Sequence, residues 1–113
     1  MDPGALELAQ GLAARLNAPL FASTNTRLLV DLNRSLQHPR LFSEFTRQCD
    51  PEVKTKILEN YYYPYRTILE TAIRKIAAGS RTSLHLSIHS FTPRLGKELR
   101  RADVGLLYDP QRP

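Results

Sequence analysis

A chain of 113 residues with 42% hydrophobic content can bury one modest core and has no room for two. No apolar run reaches the roughly 18 residues of a membrane-spanning helix, and the opening MDPGALELAQ has no basic segment leading into an apolar one. A membrane partner and a signal peptide are therefore not expected, and the cytoplasm is the expected location. The net charge of +5 permits nucleic-acid binding by counterion release, but the 12 arginines are spread singly apart from Arg100-Arg101, and no block of five or six like charges occurs. That is the pattern of a solvated basic surface, so no nucleic acid is expected. Cys49 stands alone, which excludes an internal disulfide and a multi-cysteine zinc site.

Asp2-Pro3 predicts a capped helix start, because an aspartate side chain accepts from free amides and proline loses nothing at the first helical position. Ala5, Leu8, Ala9, Leu12 and Leu16 form one apolar stripe, and Asn17 suits a left-handed close. Short strands are expected at Pro19 to Ala22 and at Thr26 to Asp31 (TRLLVD), the second emptying into a loop at Leu32 to Ser35. Asp50-Pro51 repeats the capped start. From there Val53, Ile57, Tyr61, Tyr65, Ile68, Ala72 and Ile76 recur at helical steps until Gly79. Pro64 lies inside that run and crowds the carbonyl of Asn60, so a kink is expected at Tyr61 to Pro64. Ser83 to Ile88 alternates apolar and polar residues as a strand. A loop through Asp103, a last strand at Val104 to Tyr108 and an exit loop at Asp109 to Pro113 complete the chain. This order suggests a single α/β domain over residues 1–113, with helices covering a sheet.

Three groups of residues are chemically suggestive. His89 ends a strand, where loops of α/β folds build crevices; it is either a ligand or a hydrogen-bonded structural residue. Asp31-Leu32-Asn33-Arg34 follows a strand. There a guanidinium fork beside an amide suits a small anion, while an Asp31 to Arg34 ion pair that only closes a turn fits the spacing equally. Arg27 and Arg94 flank these segments as surface cations. The tyrosines at 61, 62, 63 and 65 offer a stacking platform or, at helical spacing, core and rim. No HExxH, HxxE, phosphate-binding Gly-rich loop or GxSxG motif is present.

Two strings carry a resemblance: TRLLVDLNRSLQHPRLFSEFTR, from Thr26 to Arg47, and LHLSIHSFTP, from Leu84 to Pro93, followed by ADVGLLYDP. Together with the Tyr61 to Arg66 segment and the opening DPGALELA, they resemble the N-formylglutamate amidohydrolase family over nearly the whole chain. That family is similar in turn to zinc carboxypeptidases and aspartoacylases. The resemblance implies an α/β fold with a mixed sheet flanked by helices, zinc-exopeptidase-like (phosphorylase/hydrolase-like), in which zinc activates a water that attacks an amide carbonyl. It makes His89 a zinc ligand and Asn33 and Arg34 the pair that holds the substrate carboxylate. Asp31 supports that loop, and Arg27 polarises the scissile carbonyl. The implied substrate is a small acidic N-acyl amino acid such as N-formylglutamate.

Members of the family run roughly twice this length. They carry a glutamate and a histidine zinc ligand upstream of the position of Met1 and a general-base carboxylate beyond that of Pro113. The expectation is therefore an incomplete domain with little zinc affinity and no useful amidase rate alone. Unpaired sheet edges would favour a homo-oligomer or a complementing segment. The rival expectation is a non-catalytic binding module, either a relict domain or a basic nucleic-acid-binding protein.

Overall fold

The structure is a computed structural model describing residues 2–79, 82–108 and 110–111, with Leu95 described by its backbone alone. Helix α1 spans Ala5–Leu16. Asn17 closes it in the left-handed region (φ 49°, ψ 44°), as its short polar side chain allows. The Asn17 N–H meets the Ala14 carbonyl while the Ala18 N–H meets that of Ala13 (3.0 Å), a Schellman close. The start differs from the expected cap. Gly4, at φ 75°, precedes the first turn, and no side chain caps it. Asp2 contributes only its backbone carbonyl, which accepts from the Ala5 N–H (3.1 Å), because its carboxylate is engaged elsewhere.

Residues 18–50 hold turns where two strands were expected. The Leu29 N–H returns to the Thr26 carbonyl and the Arg34 N–H to that of Asp31. Val30, Asp31 and Leu32 are buried in succession, as a buried strand would be, but the turns on either side of Val30 keep the backbone from extending. Hydroxyls replace a strand ladder here. Ser43 Oγ donates to the Leu28 carbonyl and Thr46 Oγ1 to that of Leu29, and the Asp31 N–H reaches the Leu41 carbonyl (2.9 Å).

The long helix begins at Pro51 as expected, although the Asp50 side chain makes no cap bond, and it runs to Gly79. It comprises α2 (Pro51–Ile57), one π turn (Leu58–Tyr62) and α3 (Tyr63–Gly79). The π turn is the answer to Pro64. Widening one turn lets the Tyr63 N–H bond the Leu58 carbonyl and absorbs the register that proline would otherwise break. This turn also presses the helix onto the 29–42 segment, where Val30, Leu32, Leu41, Ile57 and Tyr62 form the core, flanked by Leu29, Phe42, Leu58 and Tyr65.

Tyr62 ties the two halves of that core by donating its hydroxyl to the Arg34 carbonyl (2.8 Å). Burial pushes its phenol above the ordinary value of 10.0, with the Arg66 guanidinium pulling the other way. The folded state therefore holds this proton more tightly than the unfolded chain. That contribution is complete below pH 10 and fades as pH rises through the raised value. Tyr62→Phe is expected to cost about 1 kcal/mol at neutral pH in urea unfolding and to remove this share of the alkaline loss. An unchanged midpoint would show that the hydroxyl carries no load.

Beyond the helix, the expected strands Ser83 to Ile88 and Val104 to Tyr108 pair with nothing among the described residues. The sheet there consists of a hairpin inside the expected loop. Strands β1 (Arg94–Leu95) and β2 (Glu98–Leu99) are antiparallel, with Arg94 opposite Leu99 and Leu95 opposite Glu98. Gly96, at φ 62°, supplies the left-handed turn position. Leu84, Val104, Leu106, Leu107 and Tyr108 stay at least 80% exposed. The exit loop from Asp109 to Pro113 lies mostly outside the described residues, with only Pro110 and Gln111 within them.

Candidate functional site

The α1 entry, the turn at Thr26 to Leu29 and the 85–89 segment meet around a cavity of about 510 Å³. Val30, Leu32, Tyr65 and Leu69 give it an apolar wall, while Asp2, Arg27, Asn33, His85, Ser87 and His89 bring polar groups to it. Asp2 Oδ2 is the node. It accepts from His89 Nδ1 (2.6 Å) and from an Arg27 terminal nitrogen (3.1 Å), which draws the imidazole and the guanidinium against each other. A carboxylate at Nδ1 selects the tautomer with the proton on that nitrogen and leaves a lone pair on Nε2. The Ser87 hydroxyl, 3.2 Å away, donates to that lone pair. His89 is thus oriented through both nitrogens, and Nε2 can ligate only when the Ser87 hydroxyl turns away. The Arg27 and His89 side chains are more than a third exposed and that of Asp2 about a quarter, so the ion pairs orient more than they stabilise.

The DLNR turn divides its residues. Asn33 lines the cavity. Asp31 is buried beneath the turn, where Oδ1 accepts from the Asn33 N–H (3.1 Å) and Oδ2 from Arg34 Nε (3.0 Å). The ion pair that closes a turn is therefore present. The Arg34 guanidinium, with its side chain 36% exposed, points to the His38 ring and is not part of the cavity wall. Arg27, Asn33 and His89 are brought together; Arg34 and Asp31 stand behind them. Arg94 sits on the hairpin, outside this wall.

The full-length match is to a family model described as N-formylglutamate amidohydrolase, over residues 1–112. The chain belongs to the N-formylglutamate amidohydrolase family. No curated protein and no solved structure matches it. Membership supports an amidohydrolase-type function, and no helix among the described residues is long and apolar enough to cross a membrane.

A catalytic zinc site takes three protein ligands and leaves one position open. Among the described residues no three His, Cys, Asp or Glu side chains come together as such a set. His89 and Asp2 offer two donors, and the Arg27 cation beside them opposes a divalent ion. These residues alone do not fit a zinc centre. Sequence reasoning missed Asp2, which reads locally as a helix cap, and His38, which the spacing from Arg34 marks as a neighbour without saying what it touches. The signal for Asp2 was its place in the DPGALELA string.

Proposed function

We propose that the chain is the substrate-facing part of an amidohydrolase that cleaves the linear C–N amide bond of a small acidic N-acyl amino acid such as N-formylglutamate. Family membership supports the reaction class, and the grouping of Arg27, Asn33 and His89 on one cavity is the observation that supports the site. In this reading the Arg27 guanidinium faces the scissile carbonyl oxygen, where a fixed positive charge favours the charge that develops during attack. Asn33 supplies an amide donor and acceptor to the substrate, and Arg34, which the resemblance assigns to its carboxylate, stands behind the cavity wall and reaches it only by swinging from His38 past Asn33. His89 lines the cavity with Asp2 on Nδ1 and the Ser87 hydroxyl on Nε2. Zinc, as the resemblance implies it, would need ligands from outside the described residues, so no step is assigned to it. The cytoplasm is the proposed location, consistent with the lone free thiol of Cys49.

The expected result in calorimetry is that N-formyl-L-glutamate binds at least about tenfold more tightly than N-formyl-L-glutamine, because only the former offers the second carboxylate. Equal affinities would overturn the acidic-substrate reading. In the same instrument, zinc is expected to bind only weakly; a tight 1:1 site lost in His89→Ala would show that this chain completes the metal centre.

We also propose self-association, or docking of a complementing segment, through the exposed apolar runs at Leu84 to Ile88 and Val104 to Tyr108. Sedimentation is expected to show concentration-dependent association that Leu106→Asp weakens. A monodisperse monomer at high concentration would contradict it.

A further inference from the structure

Ser87, His89 and Asp2 stand in sequence on the wall of one cavity. Ser87 Oγ lies 3.2 Å from His89 Nε2, and His89 Nδ1 lies 2.6 Å from Asp2 Oδ2. A carboxylate oxygen can only accept, so the shorter contact requires a proton on Nδ1, and in the neutral ring the lone pair is then on Nε2, against the hydroxyl. Arg27 does not compete for that place, because its terminal nitrogen donates to the same Oδ2 (3.1 Å). Ser87 and His89 are two residues apart, the separation that puts side chains of an extended backbone on one side, while Asp2 comes from the opposite end of the chain.

The donor set around His89 does not fit zinc. What it matches is the order hydroxyl, imidazole, carboxylate, which activates a serine towards a carbonyl carbon. We infer that Ser87 is a nucleophile through which the chain accepts the acyl group of a small activated ester, with His89 as general base and Asp2 as the carboxylate that positions it. This activity goes beyond the amide cleavage proposed above. It uses the same cavity but requires neither a metal nor an acidic substrate.

The step closes on the chain's own residues and water. Ser87 Oγ bonds the acyl carbon as its proton passes to Nε2, and the carbonyl electron pair moves to the oxygen. Arg27 lines the same cavity and brings a positive charge to that developing anion. Collapse breaks the bond to the leaving alcohol, which takes the proton from Nε2 and leaves an acyl-serine. Water then attacks the acyl carbon, giving its proton to Nε2; the acid departs and Ser87 recovers the proton. Ser87 and His89 are exposed, so water reaches the acyl-serine, while Val30, Leu32, Tyr65 and Leu69 offer an apolar wall to the acyl chain. An activated ester is the fitting class because its leaving group departs readily, whereas an amine must be protonated first.

The test is covalent labelling of the full chain with a fluorophosphonate, in which Ser87 Oγ bonds phosphorus and fluoride leaves, followed by peptide mapping in the presence of a chelator. The adduct is expected on Ser87, forming roughly a hundredfold more slowly in His89→Ala and at an unchanged rate in Ser90→Ala, which alters the next serine along. Ser87→Ala is expected to give no adduct in that peptide and, since its hydroxyl is exposed, to keep the wild-type urea midpoint. With p-nitrophenyl acetate, the wild type should release nitrophenol in a burst that Ser87→Ala lacks. No adduct on Ser87, an adduct that forms as fast in His89→Ala, or one that the chelator prevents overturns the inference. Neither probe carries an acidic amino acid, so these results stand apart from the affinity for N-formyl-L-glutamate that tests the amidohydrolase reading.

Discussion

Leu41→Ala is expected to lose about 3 kcal/mol in urea unfolding and to broaden or abolish the thermal transition. Leu41 is 3% exposed and sits in a core cluster of five residues, so a cavity left there has few neighbours able to collapse into it. Against the roughly 5–15 kcal/mol that holds a typical domain together, and with this core at the small end, such a loss is a large share of the total. The functional consequence follows from the same residue's backbone. The Leu41 carbonyl accepts the Asp31 N–H, so loosening Leu41 loosens the loop that carries Asn33 and Arg34. A loss below about 1 kcal/mol would mean that the 29–42 segment does not form the core described above.

Asp2→Asn is expected to act in the opposite sense, on the ligand more than on the fold. The Asp2 carboxylate occupies the donors of Arg27 and His89 and places a negative charge in the cavity proposed to receive an acidic substrate. The asparagine oxygen still accepts from one of those donors, but the like charge is gone. Roughly tenfold tighter binding of N-formyl-L-glutamate is expected by calorimetry, since a unit charge a few ångströms away at an intermediate dielectric outweighs one exposed hydrogen bond. Stability should change by less than about 1 kcal/mol, because both ion pairs are partly exposed. Weaker binding would instead make Asp2 the group that holds Arg27 and His89 in working order.

The parts of the fold legible in the sequence are those decided locally. Asn17 ends α1 because a short polar residue tolerates the left-handed region; Pro51 begins α2 because the first turn needs no proline N–H. Pro64 announced a disturbance, but whether the helix would break or widen depended on Tyr62 and Leu58 docking onto the 29–42 segment. The strand signals at Thr26 to Asp31 and Ser83 to Ile88 report side-chain patterning, whereas a strand also needs a neighbour to pair with, and none is present among the described residues. The site divides in the same way. The ion pair of Asp31 and Arg34 is a short-range event and could be read from spacing. Asp2 meets His89 across 87 positions and Tyr62 meets Arg34 across 28, contacts that no local pattern encodes. The resemblance marked His89, Arg27 and Asn33 as candidates, and the structure supplied the carboxylate that joins two of them.

The shared cavity is best tested by an amide and side-chain NMR titration with N-formyl-L-glutamate. The expected outcome is a saturable set of shifts confined to Arg27, Asn33, Arg34, Ser87 and His89, with the hairpin at residues 94–99 silent. Shifts spread over the arginines of the surface, or concentrated on the exposed run at Val104 to Tyr108 with His89 and Arg27 unmoved, would contradict it.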